Sequence, residues 1–289
     1  MNTLKTALLL TVLTALLIFI GGLVGGTNGA MTMFVIAMVI NFIQYWFSDK
    51  IVLAMYRAKP LSETEAPQVY RTVREIAARM QIPMPKLYWI PTKTPNAFAT
   101  GRSPKHASVA VTAGILELLN DEELKGVLAH ELSHVSHRDT LVMTIAAGIA
   151  GTIMMCARMA QWSMWMGGGR DRDDNRSGGA GQLIALLLIA IVAPLAAMLI
   201  QLAISRTREY GADESGARVA GSANGLASAL QKLETAQRDY PLPNANPATA
   251  HLFIVNPLAG QNAGQILASL FSTHPPLEAR IARLHSMRF

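Results

Sequence analysis

Four apolar runs constrain this 289-residue chain more than any other feature, at about Leu4–Val24, Ala30–Phe47, Leu141–Met166 and Leu183–Ile204. At about 1.5 Å per helical residue, each reaches far enough to cross a hydrocarbon core of roughly 30 Å. Composition agrees: 15% of residues are charged, where soluble domains average about 25%, and the mean hydropathy is +0.28. Such a chain does not fold as one ordinary soluble domain. It is expected to be predominantly α-helical, with a small β-sheet and about four transmembrane helices. Four parts follow: a membrane hairpin over 1–48, a polar part over 49–140, a second apolar hairpin over 141–204 and a second polar part over 205–289.

Lys5 at the very start of the first run also suits a cleaved signal peptide. The run is long for that, however, no A-x-A-like site follows it, and a second span comes at once. The first two runs are joined by Gly25-Gly26-Thr27-Asn28-Gly29, with Lys5 at one end and Lys50, Arg57 and Lys59 at the other. The positive-inside rule then places both ends of this hairpin in the cytoplasm. The second pair is balanced: Arg170, Arg172 and Arg176 lie in its loop, and Arg138, Arg206 and Arg208 flank it. Its orientation therefore rests on the first pair and on an even number of spans.

The formal net charge is +6. The basic residues are scattered rather than interleaved with aromatics, which argues against a nucleic-acid partner. They fit flanks of membrane segments facing anionic lipid. The single cysteine, Cys156, lies in an apolar run. It permits no disulfide within the chain and no thiolate zinc site, so any metal must be held by His, Asp or Glu.

The polar parts carry readable local signals. Val69, Val73, Ile76 and Ala77 repeat at helical spacing within 66–80, and Lys86–Ile90 reads as a strand. Ala97–Thr100 and Ser108–Thr112 form a second extended pair across Gly101–Pro104. Asn120 is a good N-cap, with Glu123 as its capping-box partner, for the helix that follows. Three more helices are expected near Thr207–Val219, Ala223–Thr235 and Pro276–Met287.

The helix after Asn120 carries His130-Glu131-Leu132-Ser133-His134. Positions i and i+4 share a helix face, so both imidazoles can meet one ion, and Zn²⁺ suits neutral imidazole nitrogen. Glu131 stands on the rim of that face, where it can take a proton from water activated there. A catalytic site needs a third protein ligand and an open position. His137, His251, His274, Glu209 and Asp213 are the candidates. Glu209 and Asp213 are i and i+4 in Ser205-Arg206-Thr207-Arg208-Glu209-Tyr210-Gly211-Ala212-Asp213. One of them can bind metal while the other hydrogen-bonds a ligand histidine. A hairpin over 141–204 would return the chain to the place it left and bring the two half-sites together. A helix running straight from the motif into the third run would put His134 about 10 Å from hydrocarbon. The rival reading is a membrane adaptor whose metal is structural, closed by a fourth ligand from His137, His251 or His274. Transport fits poorly, because Arg158 is the only charged residue in the interior of the runs.

On these motifs, together with Ser272-Thr273-His274-Pro275-Pro276 and Arg280, the whole chain resembles the M48 family of membrane zinc peptidases. The resemblance implies an α+β zincin-like peptidase domain holding one Zn²⁺ through His130, His134 and Glu209. It implies Glu131 as general base and Asp213 as support for a ligand histidine. It also implies Asn96, Ala97 and Phe98 on a substrate-binding edge strand, and His274 and Arg280 near the scissile carbonyl. It further implies a multi-pass protein of the bacterial inner membrane, its catalytic domain facing the cytoplasm. The role implied is proteolytic quality control of damaged or misassembled membrane proteins.

Overall fold

The computed structural model describes residues 2–143, 145, 206–239, 252–254 and 275–289. Helix α1 (Asn2–Met55) carries the first two apolar runs. The expected loop at 25–29 is helical apart from a reversal at Gly26, whose φ of +57° favours glycine. The reversal follows from contacts between the arms. The Asn41 side-chain amide donates to Thr14 Oγ1 at 2.8 Å across 27 residues, which in a straight helix would lie about 40 Å apart. Gly21 and Gly29 pack backbone to backbone with no room for a side chain, and Leu13, Leu17 and Ala37 are buried between the arms.

Among the described residues one helical segment is long and apolar enough to cross a membrane, Gly26–Met55, with 6% of its apolar window buried in the protein. That exposure sets it apart from a soluble core helix. The first arm contributes only the shorter apolar helix Leu10–Phe19. Of the four expected spans the structure supports this one; the third and fourth runs lie almost wholly outside the described residues. The expected boundary at residue 48 falls inside α1, because Val52 and Leu53 turn into a core with Phe98 and Phe253.

The peptidase-like part begins with β1 (Lys59–Pro60), α2 (Pro67–Arg79) and β2 (Lys86–Ile90). Then come β3 (Ala97–Thr100), β4 (Ser108–Thr112), α3 (Ala113–Leu118) and α4 (Asp121–Ser136). Past the second apolar region come α5 (Arg206–Ala220), α6 (Asn224–Asp239) and α7 (Leu277–His285). The sheet order is β1-β2-β4-β3. β2 and β4 are parallel, the outer pairs are antiparallel, and Ala97 faces Val111 across β3 and β4. β3 is thus an edge strand.

Helix α2 buries Val69, Val73, Ile76 and Ala77, the stripe its periodicity predicts. Helix α4 opens with the full Asn120–Glu123 capping box, worth about 1 kcal/mol. Glu123 also takes the Ser228 hydroxyl and Lys232 ammonium of α6, at 2.7 and 2.8 Å. One carboxylate thereby caps α4 and ties it to α6. Leu128 and Leu132 of α4 join Leu226 and Leu230 of α6 in the main core.

Candidate metal centre

The site forms where α5 crosses the middle of α4. Glu209, Asp213 and Gly216 stand at i, i+4 and i+7, so they share one face of α5. A Cβ on Gly216 would lie 2.8 Å from the His130 backbone nitrogen, so a side chain there would push the helices apart. Close approach lets short carboxylates reach the α4 imidazoles. His134 Nε2 lies 3.4 Å from Glu209 Oε1, and His130 Nε2 lies 3.8 Å from Glu209 Oε2. One ligand atom from each of the three residues falls within 4.8 Å of the others.

Two ligands held about 2.0–2.1 Å from an ion at the tetrahedral angle stand roughly 3.4 Å apart. The spacing therefore suits a Zn²⁺-sized ion. Burial points the same way: His130 and Glu209 are each 1% exposed and His134 is 3% exposed. A carboxylate and two imidazoles this deeply buried need a compensating charge. Of the other proposed third ligands, His137 is exposed at the end of α4, Asp213 sits behind His130, and His251 and His274 lie outside the described residues.

The rear nitrogen of each imidazole faces a carboxylate. Asp213 Oδ1 lies 2.9 Å from His130 Nδ1, off the line of an ideal hydrogen bond. Asp139 Oδ2 lies 3.4 Å from His134 Nδ1. Each carboxylate is backed by an arginine. Arg280 donates from Nε and Nη2 to Asp213 at 2.8 and 2.7 Å, and Arg208 Nη1 approaches Asp139 at 3.6 Å. In the sequence Arg208 reads as a flank of an apolar run. No periodicity marks Asp139, because it sits five residues after His134. A left-handed residue, Arg138 at φ +60°, ends α4 and turns Asp139 back towards the ring. The motif helix therefore does not run straight into the third apolar run. Partners of this kind orient ligands and raise their basicity, and losing one typically costs about 10–100-fold in metal affinity. Asp139→Asn is expected to weaken zinc binding by that factor in a chelator competition, with little change in fold.

Burial pushes Glu131 above the usual carboxylate range, against the pull of His130, His134 and the Ala99 N–H. That N–H donates to Glu131 Oε2 at 3.0 Å, linking β3 to the centre. Burial alone would lower His134, but Asp139, Glu209 and Glu131 outweigh it and raise the imidazole to about 9. A metal takes the neutral imidazole. Below that pKa, a proton must leave His134 before metal enters. Apparent zinc affinity should thus rise between pH 6 and 8, by about tenfold per unit for one proton released, as buffered zinc titrations would read.

Phe98, Ala99, Thr140, Met143 and the Leu252–Ile254 segment enclose the centre in a cavity of ≈ 20 Å³, room for one ordered water. Two expected substrate contacts look different in place. The Asn96 side chain is buried, donating to Leu252 O at 3.1 Å and accepting from the Ile254 N–H at 3.3 Å. It holds the cavity wall. Arg280, expected beside the scissile carbonyl, is 1% exposed and turned to Asp213, with Nη1 donating to Ile254 O at 3.3 Å. Its donors are thus taken by Asp213 and by the cavity wall, and Nη1 also lies 3.9 Å from Glu209 Oε2. Phe98 lines the cavity, and Ala97 is buried at the start of β3.

A buried H-E-x-x-H pair on one helix, closed by a glutamate from a second, defines the class of metallopeptidases built on that motif. Comparisons with known proteins narrow the class. The profile of peptidase family M48 matches residues 63–288. A Protease HtpX homolog of Syntrophobacter fumaroxidans is 58% identical over 283 residues, covering 98% of each chain. A Protease HtpX homolog of Pyrococcus furiosus is 54% identical over 283 residues, covering 98% of this chain and 95% of the relative. In fold, the crystal structure of S. mikatae Ste24p is similar, with a TM-score of 0.51 at 16% identity. The likeness covers 96% of this chain but spans only 62% of that one. The chain belongs to peptidase family M48 and is a metalloprotease.

Proposed function

We propose that this metalloprotease is a zinc endopeptidase seated in the bacterial inner membrane and cutting extended segments of membrane or cytoplasmic-loop proteins. The observation that carries the reading is the His130–His134–Glu209 cluster with Glu131 beside it. When bound there, zinc supplies Lewis-acid chemistry, lowering the pKa of water towards 7 and polarising the scissile carbonyl. Glu131 accepts the proton of the attacking water and passes it to the departing amine. Its raised pKa suits a group that must both take and return a proton. The Ala99 N–H holds one Glu131 oxygen in place. Asp213 and Asp139 orient the two imidazoles, with Arg280 and Arg208 behind them. His274 is the proposed donor to the oxyanion.

Substrate is proposed to add as a strand along the edge of β3 that faces away from β4, over Ala97 and Phe98. Val52, Leu53 and Tyr56 at the end of α1 pack with Phe98. The centre therefore stands at the foot of the membrane-length helix, which favours juxtamembrane substrates. Basic residues after the span support a cytoplasmic peptidase domain, and the family resemblance supports a role in protein quality control.

A structural metal in a non-catalytic adaptor is the alternative. The two differ in a cleavage assay with an unfolded model substrate. The peptidase reading predicts activity that a chelator abolishes and stoichiometric zinc restores. A zinc-loaded protein that never cleaves would leave the adaptor.

A further inference from the structure

We infer that the chain carries a specific site for the headgroup of an anionic phospholipid, separate from the metal centre. Where α1 leaves its apolar stretch, it lines a cavity of ≈ 360 Å³ together with the start of β2 and the β3–β4 connection. Phe42, Trp46 and Phe47 of α1 line it, together with Lys50 of the same helix and with Lys86 and Arg102 from beyond it. Asp49 and His106 complete the lining. Three permanent cations against one carboxylate leave an excess of positive charge in a hollow walled by aromatic rings.

The cations come from separate parts of the chain. Lys50 lies in the last two turns of the membrane-length helix, Lys86 opens β2, and Arg102 lies in the turn between β3 and β4. Arg102 is preorganised, its guanidinium carbon 4.2 Å from the centre of the Trp46 ring. Its Nη2 donates to His106 Nε2 at 3.1 Å, and His106 Nδ1 stands 3.0 Å from Ser103 Oγ. Guanidinium forks suit phosphate oxygens.

The occupant follows from what adjoins the hollow. Val35, Met38, Val39, Phe42 and Ile43 are exposed apolar residues along the same helix, a surface that acyl chains can cover. Trp46 and Tyr45 stand at the level where aromatic residues meet the headgroup layer. A free phosphate would use the cations but not this apolar face. A phospholipid with net negative charge, such as a phosphatidylglycerol, uses both. The inference draws on the membrane placement of α1 and not on the zinc chemistry.

The test is native mass spectrometry of the full-length protein in neutral detergent, titrated with phosphatidylglycerol or phosphatidylcholine. Phosphatidylglycerol should be retained at least tenfold more tightly. Each basic residue beside an anionic headgroup contributes about fivefold, so the double variant K86Q/R102Q should bind it about 25-fold more weakly. The control R71Q/R288Q removes equal charge from exposed positions outside the hollow and should bind like the parent. Equal loss in both double variants would reduce the effect to overall charge and overturn the site. Displacement of the lipid by millimolar inorganic phosphate would overturn it in favour of a free anion. A protein that needs detergent for extraction yet shows no preference between the lipids would also overturn it, leaving the membrane reading intact.

Discussion

Glu131→Gln is expected to lower peptide hydrolysis by roughly two to four orders of magnitude, the usual contribution of a positioned general base, with one zinc still bound. The substitution is nearly isosteric, so the 7% exposed side chain keeps its volume and its place against β3. Its remaining carbonyl can still accept from the Ala99 N–H. What disappears is the capacity to take a proton. Because the side chain is not among the three proposed ligands, metal content should not follow activity. Measuring hydrolysis and zinc on the same preparation separates the two. Retained hydrolysis would remove Glu131 from the chemistry, and lost zinc would make it a ligand.

Glu209→Gln tests the other half of the site. The carboxylate arrives from a helix more than seventy residues after the motif and closes on both imidazoles. An amide keeps the volume but not the charge, leaving two histidines and a weak donor. Zinc affinity should fall by more than the roughly 100-fold that marks the upper range for outer-shell partners. Activity should fall with it, to be regained only at high added zinc. A buried amide among polar groups also costs some stability. Thermal melts of the metal-free proteins would show whether the variant folds before its affinity is judged.

What could be read in advance was what depends on neighbouring residues. The capping box at Asn120, the α2 stripe and the i, i+4 histidines are local, and each stands where its spacing places it. Glu209 and Asp213 could be named because they repeat at helical spacing. Which of them faces the imidazole pair depends on how α5 crosses α4, and Gly216 permits that crossing. The roles of Asp139, Arg208 and Arg280 arise from tertiary contacts. A left-handed turn at Arg138 swings Asp139 inward, and a salt bridge across 67 residues turns Arg280 to Asp213. Hydropathy alone likewise favours a break at 25–29. The glycines there allow helix to continue on both sides of a single reversal at Gly26.

X-ray absorption at the zinc edge of detergent-purified protein reads the coordination shell directly. One zinc per chain is expected, with nitrogen and oxygen neighbours at about 2.0–2.1 Å, two of them imidazole and none sulfur. A shell with a third imidazole, or a protein that holds no zinc in stoichiometric amount, would contradict this expectation.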